Sequence, residues 1–506
     1  MEASVRDARL NRRRFQAIGI AGATVALLSA CGAGGGTTAP AKPAEPAKPA
    51  APAATTAPAA PAAAAKPAES KPAAQAAPAQ TGGNVTLTWI TPAEVGPERD
   101  FYTGFAQNFE KQNPNIKVNV SFEAWADYMT KLPTVLAGGA IPDVIHVHCS
   151  TVQDYGLRGA VRDMYEFMNR DKISKDAFFP FLIEQMSDFK TKTKLWAVPK
   201  DSAVYAVYYN KDLFDKAGVP YPKMDWTFDE FRQTAKALTL DKSGNYGNNP
   251  KFDPNNVVQW GMNWGNNATD SPLPSSDLWQ MVVWGQAGPW FSDDLKKGFF
   301  DDEGHIKFVQ DIVDMRCKDR SIPGAGDSMG QGDAFRNQIV AMGIAHHSQT
   351  FFYKQEKKTF NFDVVAPPSG PKGQFNAAAC SGYTIPVKAQ HPEEAWQFIK
   401  FLTSPDQVTP MVKVKRWGAS IKDSEQYLLP EDNIPAHFKE VLYDPMFGQA
   451  KAKTAAIAYP PYFGEMRQIW NTELGEFYTC GGTSLADAAK RVQPQIQALL
   501  DKAWQA

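Results

Sequence analysis

Strand-like and helix-like segments alternate from residue 85 to residue 147, and this alternation limits the possible folds more than any other feature of the chain. Residues 85–90 and 116–122 have strand patterns, residues 144–147 form a short apolar run, and helical patterns fill the two intervals. The order β-α-β-α-β predicts a mostly parallel sheet with helices on both faces. Such sheets bind ligands at the carboxyl ends of their strands. The loops at 91–94 and 146–151 are therefore candidate site loops, with ordinary surface turns as the alternative.

Residues 1–31 have the pattern of a lipoprotein signal peptide. Three arginines at 12–14 form a positive region of the twin-arginine kind, and the apolar segment 17–30 is too short to cross a bilayer about 30 Å thick. Leu28, Ser29 and Ala30 precede Cys31 as in a lipobox. We expect cleavage before Cys31 and lipidation of that cysteine, with an uncleaved signal anchor as the alternative.

Residues 32–83 are predicted to form a disordered tether between this anchor and a large body. Of the 44 residues from 37 to 80, 21 are alanine and 10 are proline, so the segment cannot bury enough apolar surface to fold. The body that follows is too long for a single core and suits two domains. The formal net charge of −1 shows no basic bias, which argues against nucleic acid as a partner.

Six short motifs in the body occur together in the order typical of one protein family. They lie at residues 109–118, 136–144, 195–201, 207–218, 226–231 and 392–402. The third motif reads Leu-Trp-Ala-Val-Pro-Lys-Asp, and the fourth contains Tyr-Tyr-Asn-Lys-Asp-Leu-Phe. From about residue 84 to residue 506 the chain resembles the extracellular solute-binding proteins of carbohydrate ABC importers, the family that includes maltose-binding protein.

The resemblance implies an α/β, two-lobed periplasmic-binding-protein fold of the class II-like type. Each lobe would be a mostly parallel sheet flanked by helices, with the ligand in the cleft between the lobes and closure about a hinge. The chain would cross between lobes near residues 199–203, 380–383 and 416–420. The implied boundaries are residues 84–200 plus 380–415 for lobe 1 and residues 204–376 plus 420–506 for lobe 2.

A sugar has apolar C–H faces and a rim of hydroxyls, so its site needs flat aromatic side chains and groups that both donate and accept hydrogen bonds. Residues of both kinds lie near the cleft that the resemblance implies. We predict that the ligand is contacted by Thr91, Glu94, Trp125, Ser150, Thr151, Asp201, Ser202, Trp264, His346, His347, Tyr383 and Trp417.

Histidines stand where relatives often carry a tryptophan. After the strand-like residues 341–344 the chain has His346 and His347 instead of the family's Gly-x-Trp, and His146 and His148 follow the third predicted strand. Imidazole can hydrogen-bond a sugar or polyol, or coordinate a metal such as zinc. His146 and His148 share one face of a strand, so a chelate that also includes Cys149 is strained. These four histidines are only weak candidates for a metal site, and no cofactor is expected.

Four cysteines lie in the body, at spacings that match no zinc or redox motif. An oxidising compartment permits up to two disulfides, whereas export of an already folded chain permits buried thiols. The sequence leaves both arrangements open for Cys149, Cys317, Cys380 and Cys480.

The sequence as a whole predicts a lipid-anchored, monomeric binding protein outside the cytoplasm that delivers a sugar, oligosaccharide or polyol to an ABC transporter permease. One alternative is a receptor for a non-sugar solute or a metal chelate that uses the histidines. Another is a surface-tethered glycoside hydrolase with Glu94 and Asp201 as its two carboxylates. No catalytic motif supports the hydrolase, so we expect a protein that is not an enzyme.

Overall fold

The computed structural model describes residues 84–93, 96–263, 277–324, 327, 333–355, 360–414, 417–418, 420–422, 436–443 and 453–506. The predicted signal peptide, the whole of the predicted tether, Glu94 and Trp264 lie outside the described residues. Within these ranges, no helix has both the length and the apolar character needed to cross a membrane.

The described residues form ten strands and fourteen α-helices. The strands are β1 (Val85–Pro92), β2 (Ile116–Glu123), β3 (Val144–His148), β4 (Val198–Asn210), β5 (Leu240–Asp241), β6 (Val257–Asn263), β7 (Val340–His346), β8 (Phe362–Val365), β9 (Phe375–Thr384) and β10 (Lys453–Ala456). The helices are α1 (Pro97–Gln112), α2 (Trp125–Ala137), α3 (Cys149–Leu157), α4 (Met164–Arg170), α5 (Pro180–Met186), α6 (Lys211–Ala217), α7 (Phe228–Ala237), α8 (Asp277–Gln286), α9 (Glu303–Cys317), α10 (Gln349–Gln355), α11 (Pro392–Leu402), α12 (Pro405–Lys413), α13 (Phe463–Tyr478) and α14 (Leu485–Gln505).

The strands are ordered β2-β1-β3-β9-β4-β7-β6-β5, with β10 beside β9 and β8 beside β4. β1 is parallel to β2 and β3, so the predicted β-α-β-α-β start is confirmed. β6 is parallel to β7 as well. β9 runs antiparallel to both of its neighbours in that order, β3 and β4. The fold is therefore mixed α/β, with an antiparallel centre between two parallel parts.

β4 runs from one part of the sheet to the other. Its residues 198–204 pair with β9, and the register shifts between Pro199 and Asp201. Further along, residues 205–209 pair with β7 and residues 207–210 pair with β8. In the middle of β4, Asp201 lies across β9 from His148 at the end of β3, and Tyr205 pairs with His346 at the end of β7.

Local sequence explains where the helix after β4 begins and ends. The Asn210 side chain accepts a hydrogen bond from the Leu213 backbone N–H at 3.1 Å, which caps α6. Gly218 ends α6 with φ of 67°, a left-handed conformation that glycine adopts without steric cost.

The C-terminal helices are joined to the body by covalent and polar contacts. A disulfide links Cys317, at the end of α9, to Cys480, just after α13. Asp154 on α3 accepts the backbone N–H of Tyr462 at 2.5 Å. The other two cysteines of the body, Cys149 and Cys380, are buried and not disulfide-bonded. Of the arrangements that the sequence left open, the structure therefore has one disulfide and two thiols.

Asp171 connects the end of α4 to α11. Its carboxylate accepts hydrogen bonds from Trp396 Nε1 at 2.8 Å, from Lys400 Nζ and from Arg170 Nε at 2.9 Å. Burial opposes ionisation, but these donors outweigh it and hold the pKa of Asp171 well below its ordinary value. A carboxylate whose pKa is lowered by folding stabilises the folded protein at pH values above its unfolded pKa of about 3.9. This stabilisation is lost as the pH falls from there towards the lower pKa of the folded protein.

We expect Asp171→Asn to lower the free energy of unfolding by about 2 kcal/mol at pH 7, because charged hydrogen bonds are lost. Since wild-type Asp171 becomes protonated at low pH, the gap between the two proteins should narrow below about pH 4. Urea unfolding at pH 7, 5 and 3 measures the gap. The control is Asp293→Asn, at an exposed position, which should change little. An equal gap at all three pH values would contradict this account of Asp171.

Candidate functional site

Trp125 is the first residue of α2 and the only exposed tryptophan among the described side chains, at 41% exposure. Its ring lies edge-to-face with the rings of His146 and His148, at centroid distances of 5.8 and 5.5 Å. Both histidines are on β3, where alternate residues share a face, as the sequence predicted. We call these three residues the aromatic platform. Its tryptophan is exposed, whereas the two imidazoles that support it are buried, at 2% and 9% exposure.

Ser150 and Thr151, at the start of α3, hold His148 in place. The Ser150 backbone N–H donates to His148 Nδ1 at 3.3 Å, and the Ser150 hydroxyl lies 2.8 Å from the same nitrogen. Thr151 Oγ1 donates to the His148 carbonyl at 3.2 Å. Because Nδ1 accepts a backbone hydrogen bond, the neutral ring carries its proton on Nε2. These two predicted contact residues therefore orient the platform.

β4 contributes an ion pair at its register shift. Lys200 Nζ lies 2.7 Å from Asp201 Oδ2, and the two side chains are only 4% and 16% exposed. Asp201 Oδ1 also accepts the Ser381 backbone N–H at 2.9 Å. Lys200 Nζ is 4.3 Å from the centroid of the Trp417 ring, close enough for a cation–π interaction. The charge of Asp201 is thus balanced inside the protein, which favours an uncharged ligand nearby.

Three other predicted contact residues are buried: Thr91, Tyr383 and Trp417. Thr91 Oγ1, the Tyr383 hydroxyl and Trp417 Nε1 have no hydrogen-bond partner in the described part of the chain. Burial raises the pKa of Tyr383 well above its ordinary value, so its hydroxyl stays neutral. An unpartnered buried polar group costs about 1–3 kcal/mol, so hydroxyls from water or a ligand would stabilise this region.

His346 and His347 lie at the end of β7. The His346 ring contacts Tyr205 edge-on at 5.9 Å, and the His347 backbone N–H donates to the Val204 carbonyl at 3.0 Å. Gly418 lies against Ser202 and His347. A Cβ at Gly418 would be 2.3 Å from Ser202 Oγ and 2.8 Å from His347 Cε1. The end of β7, the middle of β4 and the segment after α12 therefore meet.

The two histidine pairs are on strands separated by β9 and β4. Within the described ranges, no group of three or more His, Cys, Asp or Glu side chains is arranged to hold a metal ion. The geometry gives no support to the metal alternative in this part of the chain.

Ten of the twelve predicted contact residues lie on β1, α2, α3, β4, β9, at the end of β7 or in the segment after α12, and the other two, Glu94 and Trp264, lie outside the described residues. Sequence reasoning missed three participants. Lys200 neutralises Asp201, Tyr205 contacts His346, and Tyr459 lies 6.2 Å from the His148 ring. The role of Lys200 could have been predicted, because it directly precedes Asp201 in the motif at residues 195–201. Tyr459 gave no signal, because it is more than 300 residues from His148 in the sequence.

Comparison with known proteins places this geometry in context. Residues 95–409 match the sequence profile described as bacterial extracellular solute-binding protein. The erythritol/L-threitol-binding protein of Mycolicibacterium smegmatis is 23% identical over 441 residues, which is 82% of this chain and 81% of that protein.

Two solved structures share the fold. An ABC substrate-binding protein from Listeria monocytogenes in complex with cycloalternan superposes with a TM-score of 0.69 and 21% identity, over 83% of this chain and 99% of that one. A solute-binding protein from Thermotoga lettingae bound with α-D-tagatose gives a TM-score of 0.65 and 19% identity, over 82% and 99%. The two-lobed periplasmic-binding fold predicted from sequence is confirmed.

Proposed function

Because this chain belongs to the bacterial extracellular solute-binding protein family, we propose that it captures a sugar, oligosaccharide or polyol and delivers it to the permease of an ABC transporter. We further propose that it works as a monomer, held outside the cytoplasm by a lipid on Cys31. The tether at 32–83 would keep the body clear of the membrane. The sequence patterns at the N-terminus support this part of the proposal.

The aromatic platform is the observation that carries the ligand class. An exposed indole can stack against the C–H face of a sugar. Lys200 and Asp201 form an ion pair, so this pair adds no net charge to the candidate site. A neutral polyhydroxylated molecule matches both features.

The named ligands of similar proteins agree with this class. They are erythritol and L-threitol in one relative, α-D-tagatose in one structure and cycloalternan in another. These ligands differ widely in size. The panel that tests the proposal should therefore extend from short polyols to oligosaccharides.

We assign the hinge to β4 and β9. β4 pairs with β9 in its first half and with β7 and β8 in its second, so bending between these halves would move one part of the sheet against the other. The proposed lobes are residues 84–200 plus 380–415 and residues 204–376 plus 420–506. A ligand that contacts both would favour closure, which is how proteins with hinged lobes respond to ligands.

Thermal unfolding of the purified full chain in detergent, against polyols, monosaccharides and oligosaccharides, tests the ligand class. A true ligand at about 100 times its Kd should raise the free energy of unfolding by about 2.7 kcal/mol. No response to any polyhydroxylated compound, combined with a response to zinc or another solute, would overturn the proposal. Turnover of a glycoside that Asp201→Asn abolishes would instead support the hydrolase.

A further inference from the structure

Cys149, the first residue of α3, lies close to Cys380 on β9. β3 pairs antiparallel with β9, and the last residue of β3, His148, faces Ser381. Cys149 directly follows His148, and Cys380 directly precedes Ser381. The Cys380 backbone N–H donates to Cys149 Sγ at 3.4 Å. The two cysteines come directly after the last pair of this ladder, where opposed residues have Cα atoms about 4.5–5.5 Å apart, and a disulfide spans about 4.4–6.8 Å. The contact from the Cys380 backbone to Cys149 Sγ therefore brings the two thiols near enough to be joined by a small adjustment of the backbone.

Burial explains why this pair stays reduced when the other pair is joined. Each of the two side chains is only 1% exposed. Burial, with the neighbouring Cys149, raises the pKa of Cys380 well above its ordinary value, so little thiolate is present. Since the thiolate is the reacting species, oxidation must wait for local opening. Cys317, by contrast, is only partly buried and already bonded to Cys480.

We propose that Cys149 and Cys380 form a second, oxidisable pair, which gives a cross-strand disulfide between the start of α3 and β9. The oxidant is a reactive disulfide of the kind used in thiol–disulfide exchange outside the cytoplasm. One thiol loses its proton and attacks a sulfur of that disulfide, which forms a mixed disulfide and releases one thiolate. The second cysteine, also deprotonated, attacks the first and releases the other thiolate. Two thiols lose two protons and two electrons, and the oxidant becomes a dithiol.

A disulfide between Cys149 and Cys380 would join two parts of the proposed ligand site. Cys149 directly follows His148 of the aromatic platform, and Cys380 pairs with Ser202 on β4. The disulfide would join the end of the platform's strand to β9, one of the two strands of the proposed hinge. It closes a loop between residues 231 apart, so it also restricts the unfolded chain. The oxidised protein should unfold at a higher temperature than the reduced one.

Excess diamide, an azo compound that accepts two electrons and two protons, tests the pair on the purified full chain. Intact mass should fall by two hydrogen atoms, and peptide mapping should show Cys149 joined to Cys380. Both thiols should become resistant to alkylation in denaturant, and dithiothreitol should restore them. The chemistry does not depend on the ligand, so failure here leaves the proposed function untouched.

A matched variant separates the two pairs. Replacing both Cys317 and Cys480 by serine removes the existing disulfide and should still allow the new one to form. Cys149→Ser should abolish it and leave Cys380 open to alkylation. The proposal is wrong if, after prolonged treatment of the wild-type chain, both thiols are still alkylated in denaturant. It is also wrong if each cysteine keeps a separate diamide adduct instead of joining the other.

Discussion

Replacing Trp125 by alanine is expected to remove most of the stabilisation that a ligand provides. A central aromatic contact typically contributes at least about 2 kcal/mol to binding, which corresponds to about 30-fold in Kd. With ligand at about 100 times the wild-type Kd, the increase in the free energy of unfolding should fall from about 2.7 to about 0.9 kcal/mol. Isothermal titration with the best ligand of the panel measures the same loss directly. Trp125→Phe, which keeps a smaller ring, should lose less.

Tyr221 provides the matched control, because its ring is 39% exposed but lies beside Tyr209 and Phe214. Tyr221→Ala should lower stability with and without ligand by the same amount, so the ligand-induced increase stays at its wild-type value. If Trp125→Ala binds as tightly as wild type, the platform does not stack against the ligand. The site would then have to be sought elsewhere in the cleft.

Gly261→Ala is expected to have the largest effect on stability. A Cβ at this position on β6 would lie 1.7 Å from the Ala235 carbonyl oxygen and 2.7 Å from the Ala235 Cα. The obstacle is the backbone of α7, which cannot rotate away as a side chain could. Since Ala235 and Phe231 are fully buried, the helix has no free space to move into. We expect a loss of about 4 kcal/mol or more in the free energy of unfolding, which exceeds ordinary overpacking.

The control for this loss is Gly104→Ala within α1. A Cβ there would meet no atom within 4 Å, and alanine is preferred to glycine inside a helix by about 0.5–1 kcal/mol. Urea unfolding followed by circular dichroism compares the two variants. The expected order of stability is Gly104→Ala, wild type, then Gly261→Ala. Near-wild-type stability of Gly261→Ala would show that α7 and β6 are farther apart than described.

Local patterns were enough to predict the start of the fold. The predicted strands at 85–90, 116–122 and 144–147 differ from β1, β2 and β3 by at most two residues, because alternation and apolar runs are properties of neighbouring residues. The insertion of β9 between β3 and β4 could not be read in this way. It depends on pairing between distant segments, and only the family resemblance predicted a crossing between lobes near residues 380–383.

The candidate site likewise has parts that follow from local sequence patterns and parts that do not. The shared face of His146 and His148 follows from strand geometry, and the structure shows both rings against Trp125. Spacing in the sequence does not specify side-chain directions. It could therefore not show that Ser150 orients His148 or that Lys200 neutralises Asp201. The joining of Cys317 to Cys480 likewise required the ends of α9 and α13 to be placed side by side.

The central position of β9 also sets the order in which the chain can mature on the ribosome. β3 is complete at residue 148, but its neighbour β9 begins only at residue 375. At about 5–20 residues per second, the intervening chain takes about 10–45 s to synthesise. Throughout that interval one edge of β3 has no strand to pair with. Once β4 has been synthesised, its first half also lacks β9 to pair with. Unpaired strand edges are templates for association between chains, so the nascent protein is most prone to aggregate before translation reaches residue 384.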